Sequence, residues 1–254
     1  MDSAEPDSRA TPFALTLQVL ERAFRVFEAK VPGPVRQPWK DGCVYRYAER
    51  TIHQAIIQKL ARTLSGLHAV DVLRLSGLFQ EQGMIQRALD ELGEDILFLS
   101  YSLILGERTE RHEEFLSYFY AEEFQDPSDI IGSHSSRGMV SREKIRTYIN
   151  QQLGNKSSQA NVAGKILSKA YSGFVHAASP HIMDMYGGIP PRFDVSGELK
   201  RFRTAEYTND ALNYFVRAFQ SMAFAAKAFD DEKLFREMCS EAAKLEPPMR
   251  ELRK

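Results

Sequence analysis

GMIQRALDELGEDILFLSYSLILG, residues 83–106, decides the fold class. Ile85, Leu89, Leu92, Ile96, Leu99 and Leu103 recur at alternating steps of four and three, which keeps one stripe of an α-helix in line. Arg87, Asp90, Glu91 and Glu94 lie on its other face, over the first half. The last turns are apolar all round, so the spacing predicts a deeply buried end.

The same spacing recurs on both sides of this stretch. Arg46, Arg50, His53, Ile57, Leu60, Leu64 and Leu67 form one stripe, polar at its start and core-facing at its end. Leu212, Phe215, Phe219, Met222, Ala226 and Phe229 form another, on a helix expected over 204–229. Further helices are expected over 12–30, 70–80, 107–124, 141–152, 158–178 and 231–245, the last ending before Pro247 and Pro248. Residues 31–42 and 125–139 read as loops, and 179–197 as an irregular proline- and glycine-rich insertion able to carry a small turn or lid. No strand pattern stands out. The expected fold is all-α, an antiparallel bundle of about eight or nine helices. The expected organisation is a disordered leader (1–11), a single helical domain (12–246) with a sub-boundary at 125–140, and a flexible tail (247–254).

The chain has 254 residues, 43% hydrophobic and 26% charged, with a formal net charge of -1, so it is no general polyanion binder. Charge is uneven along it. Residues 81–130 hold 13 acidic and 3 basic side chains, a balance of -10; residues 131–170 hold 1 acidic and 7 basic, a balance of +6. Such asymmetry marks an interaction surface, self-association between opposite patches, or solvated faces that differ in sign. Two isolated cysteines, Cys43 and Cys239, point to a reducing compartment. The polar, acidic start lacks the order of a signal peptide, and the longest uncharged apolar run, 96–106, is too short for a bilayer. The expectation is a cytoplasmic protein with no membrane partner.

Candidate chemistry begins with Arg46, Glu49, Arg50 and His53. On one helix face, two arginines could hold a phosphate with His53 as general acid or base; the alternative is a solvated helix end. RYAERTIH (46–53) and RTLSGLH (62–68) resemble the HEPN superfamily of ribonucleases and nucleotide-binding domains, whose motif is an arginine followed a few residues later by a histidine. Neither segment has the Asn or Asp that often follows the family's arginine. The resemblance implies a metal-independent ribonuclease or nucleotide-modifying toxin with Arg46, Arg50 and His53 as catalytic residues and RNA as partner. A second resemblance, RALDELGEDILFLSY followed by AYSGFVHAASPH, is to uncharacterised all-helical bacterial families. It implies a shared bundle with Arg87, Glu91, Ser172 and His176 at its binding site, and brings no reaction with it.

His176, His181 and Asp184 are the weak metal candidates. Histidines five apart around Pro180 do not make the i, i+4 pair of a helical zinc site, so no metal is expected. A di-iron carboxylate bundle needs paired Glu-x-x-His segments, and a phosphate loop, a dinucleotide fingerprint and a nucleophile elbow are also missing. No cofactor is expected. The acidic AFDDEKLF (228–235) reads as helix-capping chemistry, and the basic SREKIR (141–146) as a solvated face or a nucleic-acid backbone contact. The sequence therefore favours a helical protein-interaction module, acting through a protein partner or as a homo-oligomer, in a bacterial stress or defence system. The alternatives are the HEPN-like enzyme and a metal-assisted hydrolase.

Overall fold

A computed structural model describes residues 12–39, 42–122, 124, 129, 131, 138–154, 171–197 and 203–251, with side chains described to residue 245. The expected leader, most of the 125–140 gap and most of the helix expected at 158–178 lie outside these residues; of that helix, 171–175 are described and helical.

The chain is mostly helical, an all-α multi-helix fold. The principal elements are α1 (Pro12–Glu28), α2 (Ile52–Leu75), α3 (Phe79–Ile104), α4 (Glu110–Tyr120), α5 (Arg142–Gln152), a single-turn α6 (Ser179–Met183), α7 (Thr204–Ala228) and α8 (Glu232–Glu251). No described helix is long and apolar enough to cross a membrane.

Cross-helix contacts give the directions. Gly66 lies against Leu89 and Lys59 against Asp95, so α2 and α3 run antiparallel across their short turn. Phe13 meets Phe215 and Phe27 meets Phe229, a constant offset that makes α1 and α7 parallel. Asp90 meets Arg217 and Tyr101 meets Phe224, so α3 and α7 are parallel too. The bundle is thus of mixed sense, not uniformly antiparallel. Parallel neighbours need a long return, and residues 105–203 supply it.

The apolar stripes face the core as their spacing predicts: Leu60, Leu67, Ile96, Leu99, Phe215, Phe219 and Met222 are all fully or almost fully buried. Element boundaries differ in four places. No separate helix covers 70–80; α2 runs to Leu75, and Gly77, at φ 71°, turns the chain into α3. A positive φ is easy only for glycine, so the break falls there. An antiparallel hairpin, β1 (Val35–Trp39) with β2 (Gly42–Arg46), begins where the sequence predicts a loop over 31–42. Its strands are largely exposed on both faces and Pro38 interrupts the first, so no apolar alternation announces them. A second hairpin, β3 (Tyr186–Gly187) with β4 (Arg192–Phe193), occupies the irregular insertion. Finally, α8 continues to Glu251, past the expected stop at Pro247–Pro248. Proline holds φ near the helical value, and here it forfeits bonds only near the helix end.

One buried polar residue is fixed by its partners. His112 is fully buried and stacks on Phe98 at 4.1 Å. Its Nδ1 accepts the Thr109 N–H at 3.1 Å, closing the N-terminal cap of α4, which leaves Nε2–H to donate to the Phe98 carbonyl at 3.2 Å. Burial holds the imidazole below its ordinary value near 6.5. Between the depressed folded value and the unfolded one, the unfolded chain binds more protons. Stability is therefore full above pH 6.5 and falls as the pH drops through that window. Urea denaturation from pH 8 to 5 should show this decline; His112→Gln should flatten it while costing about 1–3 kcal/mol at pH 8.

Candidate functional site

Arg46, Arg50 and His53 do not share a helix face. Arg46 ends β2, Arg50 sits in a left-handed turn at φ 54°, and α2 begins only at Ile52. The boundary is set by a capping box: Thr51 Oγ1 accepts the Gln54 N–H at 3.2 Å, and Gln54 Oε1 accepts the Thr51 N–H at 3.0 Å. This Thr-x-x-Gln signal is present in the sequence and outranks the helical stripe that runs through it. Arg46 makes a two-point ion pair with Glu122, at 2.6 and 3.0 Å. The hydrogen bond from Arg46 holds the Glu122 carboxyl below the usual range, helped by the charges of Arg46 and Arg50. Arg46 is thus bound to a carboxylate of the same chain, and the charge of Arg50 also acts on it. His53, half-buried, lies edge-on to Phe229 at 4.7 Å.

Arg87 and Glu91 form an i, i+4 ion pair at 2.6 Å. Ser172 is half-buried in the helical 171–175 segment, and His176 is exposed just beyond it. Phe174 seats this segment on α3: a Cβ on Gly83 would fall 2.6 Å from its ring, one turn before Arg87. The two pairs therefore belong to packed neighbours, yet no described hydrogen bond or ion pair joins them. His181 lies against Phe174 at 4.2 Å, while Asp184 pairs with Arg203 and accepts the Tyr207 hydroxyl at 3.0 Å. No group of three His, Cys, Asp or Glu among the described residues is placed to hold a metal ion.

A different constellation lies in the interior. Asp95, 5% exposed, receives Lys59 from α2 at 2.7 Å and Arg142 from α5 at 2.6 Å. Glu94 receives Arg146 at 2.6 Å, with Arg142 at 3.6 Å. Asp90 receives Arg217 from α7 at 2.5 Å. Burial pushes the Glu94 carboxyl above its ordinary range against the pull of Arg146 and Arg142. Arg217 is half exposed, and the charges of Asp90 and Tyr214 hold its pKa above the usual value. Beside these groups a 280 Å³ cleft opens between α3, α5 and α7, lined by Glu94, Arg146, Arg217 and Tyr214 over an apolar floor of Leu97 and Phe224.

The chain matches no family model, curated protein or solved structure.

The network explains part of the uneven charge along the sequence. Glu94 and Asp95 come from the acidic stretch, Arg142 and Arg146 from the basic one, and they meet inside the same chain. SREKIR is therefore no freely solvated face. Its two arginines are about 15% exposed and bound to α3. A single sequence shows both charge blocks but carries no signal that α5 folds onto α3. Asp95 is shared by two cations, so losing it strands both, whereas losing Arg142 leaves Lys59 to neutralise Asp95. Asp95→Ala should cost about 3–5 kcal/mol, and Arg142→Met distinctly less, by chemical denaturation.

Proposed function

We propose that this protein is a helical protein-interaction module that docks a second protein chain through the β3–β4 hairpin. The observation that carries the reading is a run of exposed apolar side chains. Ile182, Met183, Tyr186, Ile189, Phe193 and Val195 all face solvent within fourteen residues, Ile189 fully and Val195 at 80%. A concentration of this kind marks a contact surface more often than a solvent-facing loop.

The hairpin is firmly seated. Asp184, at its foot, is held by Arg203 and Tyr207 at the start of α7. Tyr186 and Phe193 pack ring to ring across the strands at 4.9 Å. Gly197, at φ 90°, lies so close to the α2–α3 turn that a Cβ would fall 2.1 Å from the Ser76 carbonyl oxygen. Anchoring both ends limits the ordering cost of binding. Exposed Val72 and Leu75 on the last turn of α2 extend the apolar surface near this anchor.

The ribonuclease and hydrolase readings draw less support. Glu122 takes Arg46, one of the two arginines that would hold a phosphate, and Asp184 of the metal reading is held by Arg203 and Tyr207. The ribonuclease reading requires RNA cleavage that His53→Ala abolishes.

Native mass spectrometry of protein purified gently from its own host should show a mass above that of a single chain. Ile189→Asp combined with Val195→Asp should weaken that assembly at least about tenfold while changing folding stability by no more than about 0.5 kcal/mol, since neither side chain is buried. A lone monomer, or a double variant that assembles like the parent, would refute the docking reading.

A further inference from the structure

Among the described residues, the ion pairs joining α2, α3 and α5 hold one cation more than they hold carboxylates. Lys59, Arg142 and Arg146 are each about 15% exposed, and among the described residues they pair with Glu94 and Asp95. Including the adjoining pairs Arg217–Asp90 and Arg87–Glu91 leaves the excess unchanged. An unmatched cation at this depth is costly. Part of the compensation comes from rings: the Lys59 ammonium stands 4.8 Å from the Phe119 centroid and 5.6 Å from that of Phe115. A ring quadrupole does not neutralise a full charge.

A cavity of 330 Å³ opens beside Lys59 and Arg142. Lys59, Asp95 and Arg142 line it together with Phe115, Phe119 and Met139. Glu91 also reaches it, but is paired with Arg87. The volume, the ring faces and the thioether suit a flat apolar body. The shortfall of one charge suits a carboxylate; a phosphate monoester, with about -1.5 to -2 at neutral pH, would overshoot it. A carboxylate also matches the acceptor geometry a guanidinium seeks.

We propose that the cavity between α2, α4 and α5 binds a small aromatic carboxylate, its carboxylate bridging Lys59 and Arg142 and its ring lying against Phe115 and Phe119. This site is independent of the β3–β4 docking surface.

The test is calorimetric titration of the full chain with 2-naphthoate, with acetate and 2-naphthylmethanol as the charge-only and ring-only probes. One 2-naphthoate per chain should bind, each control at least about tenfold more weakly. Lys59→Gln, which removes the excess cation, should weaken 2-naphthoate at least about tenfold, while Lys59→Arg should stay within about threefold of the parent. Met139→Glu changes a side chain 71% exposed, so it leaves the core intact; a new negative charge at the cavity mouth should also weaken binding at least about tenfold. The proposal is overturned if the parent shows no saturable binding up to about 10 mM, if the neutral alcohol binds as well as the acid, or if Met139→Glu binds like the parent.

Discussion

The Asp95 carboxylate is the constraint on which the arrangement of the middle of the chain depends. It is almost fully buried on α3 and is bound at once by Lys59 of α2 and Arg142 of α5. Buried ion pairs contribute little net stability against apolar replacements, but stranding one of their charges is expensive. Any packing that slid α5 along α3, or turned α3 about its axis, would strand Asp95 and Glu94 together. The network thus selects one register for three helices whose apolar contacts alone would tolerate several. Arg142 reinforces the choice by donating to the Glu91 carbonyl at 3.2 Å, tying α5 to the α3 backbone as well as to its side chains.

The mixed sense of the bundle places the remaining features. Because α3 and α7 run parallel, the chain must return the length of the bundle between them, and α4, α5, α6 and both strands of the second hairpin lie on that return. The β3–β4 hairpin therefore ends beside the α2–α3 turn and the start of α7. The β1–β2 hairpin lies at the opposite end, where Arg46 meets Glu122, just after α4, and His53 meets the end of α7 at Phe229. The residues that resemble a ribonuclease motif and the apolar hairpin proposed to dock a partner thus belong to opposite ends of one bundle.

The periodic stripes made the core legible. Leu60, Leu67, Ile96, Leu99, Phe215 and Phe219 are where a reading of steps of three and four puts them. Two things escaped that reading for different reasons. The polar start of the second stripe, Arg46 and Arg50, has the right spacing by coincidence, and the local Thr51–Gln54 cap overrides it. Asp90 and Glu94 lie on the face opposite the first apolar stripe, and no local pattern says what covers it. They are in fact covered by α7 and α5, whose sequences are remote. Spacing says which residues of a helix share a side; it does not say which of two sides a distant helix will cover. The β3–β4 strands, two residues each, are too short to carry a period at all.

Lys59 shows how little apolar bulk some of these junctions use. Among the main helices α4 has only a small contact with α2, and Lys59 lies at it: one side of its ammonium meets Asp95, the other the rings of Phe115 and Phe119. The same cation therefore holds α4 to α2 through ring faces and α3 to α2 through a carboxylate. A leucine would keep the ring packing and strand the Asp95 charge, while a guanidinium would keep the charge and present a planar fork in place of a point. A compact point charge on a flexible stem meets both requirements, beside a cavity that Phe115 and Phe119 also line.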